Sequence, residues 1–373
     1  MSDIFPKVNI SNFDERKEEV SAELAKAAKS IGFFYITGHG ISDERIARAF
    51  DIGNRWFTLN EEQKDQYKLD LIEYVGWKGE ATKRKHDRGI IEQQVSEQQI
   101  FGHVAENNPY ARQLEQQAKE FIPNIEEFTH DFLDDLLRIS TVVLRGLALA
   151  LGQPEDFFVK GLDRNLPDIG GGGGWNNYWP YESTKEETKW RIPAHADAEL
   201  FTLLFQQEGQ PGLEVTPGKD FFDVANKGQP FLKNWDAFTY PPDDALTFHP
   251  MPPVKGAITV NIGDLLMRWS DGEYLSTYHR VRAPTKDNGI PTGGRQTLVY
   301  FANPARSTVI QGPKKRWPAI LSGEETANMA AKHYSKVAQR YYETGRLDSP
   351  AEATIPKNII EPAQPQPQAV AVN

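Results

Sequence analysis

The chain has 373 residues, 42 Lys and Arg against 52 Asp and Glu, a formal net charge of −10, and no cysteine. That balance opposes nucleic acid and anionic membrane surfaces. Without cysteine there is no disulfide, thiolate nucleophile or sulfur-ligated zinc or iron–sulfur site, so any metal is held by nitrogen and oxygen. No apolar run approaches the roughly 20 residues of a membrane helix, and Met1-Ser-Asp-Ile-Phe-Pro6 lacks a signal-peptide pattern, so a soluble cytoplasmic protein is expected.

Val8-Asn-Ile10 reads as a short strand, and residues 14–30 as a helix with apolar Val20, Leu24, Ala27 and Ala28, ending at Gly32. Phe33 to Thr37 is a buried strand, and Gly38-His39-Gly40 a turn, with His39 a turn residue rather than a ligand. Ser42 caps a helix through Ile46, Phe50 and Trp56, and Asn60 with Gln63 opens another in capping-box style. Residues 74–103 look irregular and polar. Their basic run, Lys83 to Arg88, reads as a solvated loop, with a rim attracting an anionic substrate as the alternative. Beyond Pro109 a helical pattern breaks near Pro123. It resumes through Phe128, Phe132, Leu136, Ile139 and Val143 to Gly152, apolar enough to pack along the back of a β-core.

Gly170 to Gly174 leads into strand-like Trp175-Asn-Asn-Tyr-Trp-Pro180; a phosphate cradle needs a following helix N-terminus, so the tract is read as a flexible entry loop. From Trp175 to Ala302 short β runs alternate with Gly, Pro and Asp turns, as in a jelly roll. Ser322 caps an amphipathic helix carrying Met329, Tyr334, Val337 and Tyr341, and the Pro/Ala/Gln tail from about residue 348 is predicted to be disordered.

The chemistry concentrates in Arg191-Ile-Pro-Ala-His-Ala-Asp197, just before the apolar run Leu200 to Phe205. In extended chain residues i and i+2 share a face, so His195 and Asp197 present an imidazole beside a carboxylate while Ala196 turns away. Downstream, His279 alternates with Leu275, Thr277 and Val281 on one strand face. Two histidines and a carboxylate make a facial triad suited to Fe(II), with positions left open, although the ligands alone do not exclude zinc. His249 is a rival, ranked below because Pro250, Pro252 and Pro253 suggest irregular chain. Arg295 and Thr297 also share a face, and together can bind a carboxylate through a guanidinium fork and a hydroxyl. Asp264 reads as a turn residue.

These motifs, with Ile31-Gly-Phe-Phe-Tyr-Ile-Thr-Gly-His-Gly40, Asn177-Tyr-Trp-Pro180, Val260-Asn-Ile-Gly-Asp264 and Ser276-Thr-Tyr-His-Arg-Val281, occur in the order of a known family. From Phe5 to about Ala305 the chain resembles the Fe(II)/2-oxoglutarate-dependent dioxygenases, in the branch that includes isopenicillin N synthase. The resemblance implies a mainly β fold with flanking helices, a double-stranded β-helix (jelly-roll) core and an N-terminal α/β extension. The implied segments are an extension at 1–115, support helices at 116–165, the catalytic core at 166–310, a C-terminal helix at 311–347 and a tail at 348–373.

It further implies Fe(II) on His195, Asp197 and His279, with no catalytic group beyond these ligands. The co-substrate 2-oxoglutarate would lie on Arg295, Thr297, Asn177 and Tyr178, with oxygen as oxidant and ascorbate stimulatory. Thr297 stands where the family has serine, and Trp179 where it has a second tyrosine. Relative to the family, residues 214–258 hold a long insertion, a candidate lid. The implied activity is oxidation of a small molecule with release of succinate and carbon dioxide, by a monomer or weak homodimer without nucleic-acid or membrane partners. The alternatives are an isopenicillin N synthase-like oxidase, a catalytically silent binding protein, and an ethylene-forming-enzyme-like activity on 2-oxoglutarate and L-arginine. The last rests on Glu80-Ala-Thr82, which resembles that enzyme's Glu-x-Thr element, and on Leu275 to His279. Against it stand Ala198, where that enzyme has tyrosine, and the loose match of Lys332-His333 to its Arg-Cys pair. Glu80, Thr82 and Phe101 are the candidate substrate contacts.

Overall fold

The structure, a computed structural model, describes residues 4–67, 75–79, 83–85, 91–93, 96–104, 109–180, 190–218, 220, 245–285, 288–326 and 328. Glu80, Thr82, Lys332 and His333, most of the 214–258 insertion, the expected C-terminal helix beyond residue 328 and the tail lie outside these residues.

At the N-terminus, local pattern and structure agree. β1 (Lys7–Asn9) precedes α1 (Lys17–Ser30), in which Val20, Leu24, Ala27 and Ala28 face the core at helical spacing. Gly32, with φ 77°, turns the chain into β2 (Phe33–Thr37); a Cβ there would stand 2.2 Å from the Leu275 carbonyl oxygen, so the junction requires glycine. The Ser42 hydroxyl caps α2 (Asp43–Phe57) by accepting from the Arg45 amide. Asn60 and Gln63 bond reciprocally to open α3 (Glu61–Lys64).

The stretch expected to be irregular is largely strand. β3 (Gly76–Gly79) and β6 (Ser96–Gly102) pair antiparallel at the edge of the main sheet, and the first three residues of the basic run form β4 (Lys83–Lys85), paired antiparallel with β5 (Ile91–Gln93). Polarity misled the sequence reading because polar groups are buried here. Glu97 on β6 accepts from the Lys64 ammonium at 3.0 Å and from the Trp77 indole at 2.9 Å, a pairing that permits a charged residue inside a strand. After α4 (Pro109–Ala118), a π-wound turn at Glu127–Phe132 runs into α5 (Leu133–Ala150).

The remaining strands are β7 (Gly171–Tyr178), β8 (Trp190–His195), β9 (Phe201–Gln206), β10 (Leu213–Val215), β11 (His249–Pro250), β12 (Ile258–Ile262), β13 (His279–Arg282), β14 (Arg295–Ala302), β15 (Val309–Ile310) and β16 (Ile320–Leu321). Among the described residues they form an eight-stranded sheet, β1-β2-β12-β9-β14-β7-β6-β3, a four-stranded sheet, β11-β10-β13-β8, and the hairpin β15-β16. These are the two sheets of a jelly roll, left open at their edges. The glycine tract expected to be an entry loop is instead the start of β7, hydrogen-bonded to β14 on one side and β6 on the other.

The period of two assigns the two faces of the large sheet. Trp175, Phe205, Tyr300 and Phe101 point toward the helices: Trp175 donates to the Ala49 carbonyl of α2 at 2.9 Å, and Phe205 meets Phe132 at 5.6 Å. Phe33, Tyr35 and Leu204 point the other way and pack with Leu213 and Val215 of the small sheet and with Met251, which follows β11. The chain divides into two compact units, residues 1–80 with 95–325, and residues 81–94 with 326–373; the sheets just described belong to the first, and the β4–β5 pair to the second. No helix among the described residues is long and apolar enough to cross a membrane.

Candidate metal centre

β8 and β13 are neighbours in the small sheet, and their antiparallel register sets His195 directly opposite His279. The two rings lie 4.2 Å apart between centroids. Asp197 follows β8 by two residues and returns its carboxylate to the pair: Oδ1 is 3.6 Å from His195 Nε2 and 3.7 Å from His279 Nε2. One ligating atom from each residue lies within 4.8 Å of the others, the geometry of a three-donor cup.

The far side of the carboxylate is fixed by the chain. Asp197 Oδ2 accepts from the Thr202 hydroxyl and, at 2.7 Å, from the Asn261 amide. Its backbone carbonyl accepts from the Asp264 amide at 2.8 Å. Asp264, expected in a turn, opens the short helix Asp264–Trp269. Burial works to raise the Asp197 carboxyl, but His279, His195, Thr202 and Asn261 together outweigh it, and the group is held below its ordinary value. Two residues on, burial, with Asp197 and Asp264 nearby, outweighs the backbone amides of Glu199 and Ala198 and pushes the Glu199 carboxyl up to about 8. Phe33 meets the His279 ring edge-on at 5.3 Å, closing that side with an apolar wall.

A second constellation lies on β14 and the end of β7. Arg295 stands opposite Tyr178, and Thr297 opposite Asn176. Arg295 is buried, donates from Nε to the Gln210 carbonyl at 3.2 Å and from Nη2 to Gln206 Oε1 at 3.3 Å, and sets its guanidinium 5.0 Å from the Tyr178 ring. Burial raises the Tyr178 phenol, against the pull of Arg295, Arg191 and Thr297 beside it. The Thr297 hydroxyl is buried without a hydrogen-bond partner of ordinary geometry.

The structure brings His195, Asp197 and His279 together, and separately Arg295, Thr297 and Tyr178. It does not bring in Asn177, which pairs with Gln296, so its side chain leaves the opposite face of the sheet, toward Glu97 at 3.4 Å. The adjacent Asn176 is the asparagine on the Arg295 face. Phe101 also departs from expectation: it lies in the helix-side core, edge-on to Trp56 at 5.7 Å and Trp175 at 6.3 Å, on the face of the large sheet opposite Arg295. Glu80 and Thr82 lie outside the described residues. His249 on β11 is opposite Val215, which in turn is opposite His279, so a whole strand separates it from the triad. His39 is buried in its turn, its Nδ1 accepting from the Ile41 amide at 3.2 Å. Among the described residues Glu115, Glu126 and His130 also cluster, but the Lys119 ammonium already bridges both carboxylates.

Sequence reasoning missed Asn261 and Thr202. Asn261 sits in the Val260–Asp264 motif that was noted without a role, and Thr202 inside a run read as purely apolar. Arg191 was noted too, only as the start of the His195 stretch; it is buried beside Tyr178.

Comparison with known proteins agrees with this architecture. Residues 5–124 match the family described as non-haem dioxygenase in morphine synthesis N-terminal, and residues 236–304 match the 2OG-Fe(II) oxygenase superfamily. The chain is 27% identical to validamycin A dioxygenase of Streptomyces hygroscopicus subsp. limoneus, covering 81% of this chain and 77% of that one. It is 28% identical to 1-aminocyclopropane-1-carboxylate oxidase of Dictyostelium discoideum, covering 82% and 83%. In structure it is similar to a full-length Neurospora crassa protein crystallised in complex with alpha-KG and thymine, with a TM-score of 0.69 at 19% identity over 88% of this chain and 97% of that one. The jelly roll with its histidine–aspartate cup defines the class, a non-haem oxygenase. The chain belongs to the Fe(II)/2-oxoglutarate oxygenase superfamily, and is an enzyme that uses Fe(II) and 2-oxoglutarate.

Proposed function

We propose that the enzyme holds Fe(II) on His195, Asp197 and His279, binds 2-oxoglutarate against Arg295, Thr297 and Tyr178, and hydroxylates or otherwise oxidises a small organic molecule. The observation that carries this reading is the cross-strand pairing of His195 with His279 beside a carboxylate whose other oxygen is already committed to Thr202 and Asn261. Two imidazole nitrogens and one carboxylate oxygen on one side of an ion leave the opposite positions open. The co-substrate residues fit equally well: a buried guanidinium and a buried hydroxyl suit an arriving carboxylate. When bound, Fe(II) and 2-oxoglutarate supply the oxidising chemistry, with succinate and carbon dioxide as co-products.

The chain's own contribution is positioning. Asn261 and Thr202 orient the Asp197 carboxylate, Phe33 shields His279, and Arg295 fixes the far end of the co-substrate. A small-molecule substrate is supported by a relative named for validamycin A and by the Neurospora crassa complex with thymine.

The test is a screen of small molecules with Fe(II), ascorbate, 2-oxoglutarate and air, reading succinate, with one arm supplying L-arginine and reading headspace ethylene. Substrate-stimulated succinate is expected from the parent. His279→Ala is expected to fold but to retain neither iron nor turnover. Parent-like iron content in that variant would remove His279 from the centre, and oxygen uptake without succinate would overturn the co-substrate assignment.

A further inference from the structure

Resting on the co-substrate assignment above, we propose that Arg191 is a second cationic anchor for the distal carboxylate of 2-oxoglutarate, acting with Arg295 around the Tyr178 ring. Arg191 lies on β8, four residues before His195, in the small sheet, whereas Arg295 lies on β14 in the large one. Both guanidiniums reach one ring: the Arg191 Cζ is 5.6 Å from the Tyr178 centroid and the Arg295 Cζ 5.0 Å. Both side chains are buried, Arg191 at 6% and Arg295 at 3% exposure. Arg191 donates from Nη2 to the Gly293 carbonyl at 3.0 Å, while its buried Nε has no hydrogen-bond partner. Among the described residues neither guanidinium meets a carboxylate; the groups they bond are neutral carbonyls, an amide and the Tyr178 phenol.

Two like charges buried around one phenol, without a counter-ion, are unfavourable in the ligand-free protein. Burial and the nearby Arg295 push Arg191 down to about 10, still charged at neutral pH. A dianion relieves that arrangement. Its keto-acid end has the metal, and its distal carboxylate has two oxygens for two forks, with the buried Thr297 hydroxyl beside Tyr178 as a third donor. Buried cations contributed by both sheets therefore select a dicarboxylate over a 2-oxo acid that ends in a methyl group. Arg191 is a positioning and specificity residue of the co-substrate pocket.

The experiment titrates 2-oxoglutarate, and separately 2-oxobutanoate, into Fe(II)-loaded protein under argon by calorimetry, for the parent, Arg191→Gln and Arg295→Gln. Loss of one charge-assisted pair is expected to raise the 2-oxoglutarate Kd about tenfold to a hundredfold in either variant. The 2-oxobutanoate Kd should stay near the parent value, so discrimination between the two acids narrows. A purely structural role for Arg191 would weaken both acids alike, and that outcome overturns the proposal. A 2-oxoglutarate Kd within twofold of the parent in Arg191→Gln, with Arg295→Gln weakened, also overturns it while leaving the Arg295 assignment standing. An unchanged Kd in both variants removes the co-substrate assignment itself. Arg191→Met gives the same reading should the glutamine variant fail to fold.

Discussion

The two oxygens of Asp197 have different surroundings, and that asymmetry organises the centre. Oδ2 takes the Thr202 hydroxyl and the Asn261 amide, while Oδ1 faces the two imidazoles. Outer partners of this kind typically contribute about 10- to 100-fold in metal affinity. Asn261→Ala should therefore weaken Fe(II) binding by that order in a competitive chelator titration. His249→Ala, one strand removed, should leave the affinity unchanged. A parent-like affinity in Asn261→Ala would mean that Thr202 alone orients the carboxylate. Which residues were legible at this scale follows from how local their relation is. His195 with Asp197, and Arg295 with Thr297, each sit two residues apart, and a period of two reveals them without a partner strand. Asn177 was misplaced by neglect of that same period, since adjacent Tyr178 and Asn177 must face opposite ways. Asn261 and Arg191 acquire meaning only through β-pairing between segments distant in sequence, which no local pattern contains.

Among the elements, β7 shows the same limit most clearly. Its glycines read as loop because glycine is a poor strand former, and only the neighbours explain them. A Cβ on Gly174 would stand 1.7 Å from the Gln99 carbonyl oxygen, and one on Gly173 2.7 Å from Leu133 Cδ2 of α5. The tract thus lets β6 and α5 close on β7, which carries Tyr178 at its other end opposite Arg295. Inserting even a methyl into such a contact typically costs about 1–3 kcal/mol, more where backbone must move. Gly174→Ala should lower the urea midpoint accordingly. Gly293→Ala has open space around its Cβ and should be neutral. Equal midpoints for the two variants would show that β6 yields freely and that the close approach is not required. The helices were easier to read from sequence, since caps such as Ser42 and Asn60 act within four residues of the groups they bond.

Over the whole molecule, one source of the pH dependence of stability lies outside the metal centre. His103 follows β6, is buried, and pairs its Nε2 with the Tyr300 hydroxyl at 2.9 Å. Burial, with Arg164 nearby, pushes it down to about 4 from an ordinary value of 6.5. A base depressed in the folded state stays neutral there while the unfolded chain takes up a proton. The stabilisation is therefore complete above about pH 6.5, declines as pH falls, and is lost by about pH 4. A shift of this size corresponds to about 3 kcal/mol at most. The Asp197 carboxyl is depressed, so its contribution is lost only at lower pH, but two groups share the window: His39 is displaced in the same direction as His103, and Glu199, pushed up to about 8, acts in the opposite sense in parent and variant alike. The formal charge of −10 shrinks toward zero on acidification, which eases self-repulsion and works against the loss. His103→Gln keeps a hydrogen-bonding group for Tyr300 but cannot titrate. With a chelator present, so that metal release does not enter, its urea midpoint should fall less than the parent's between pH 6.5 and 4.5. Parallel profiles for the two proteins would show that His103 is protonated, or solvated, in the folded state.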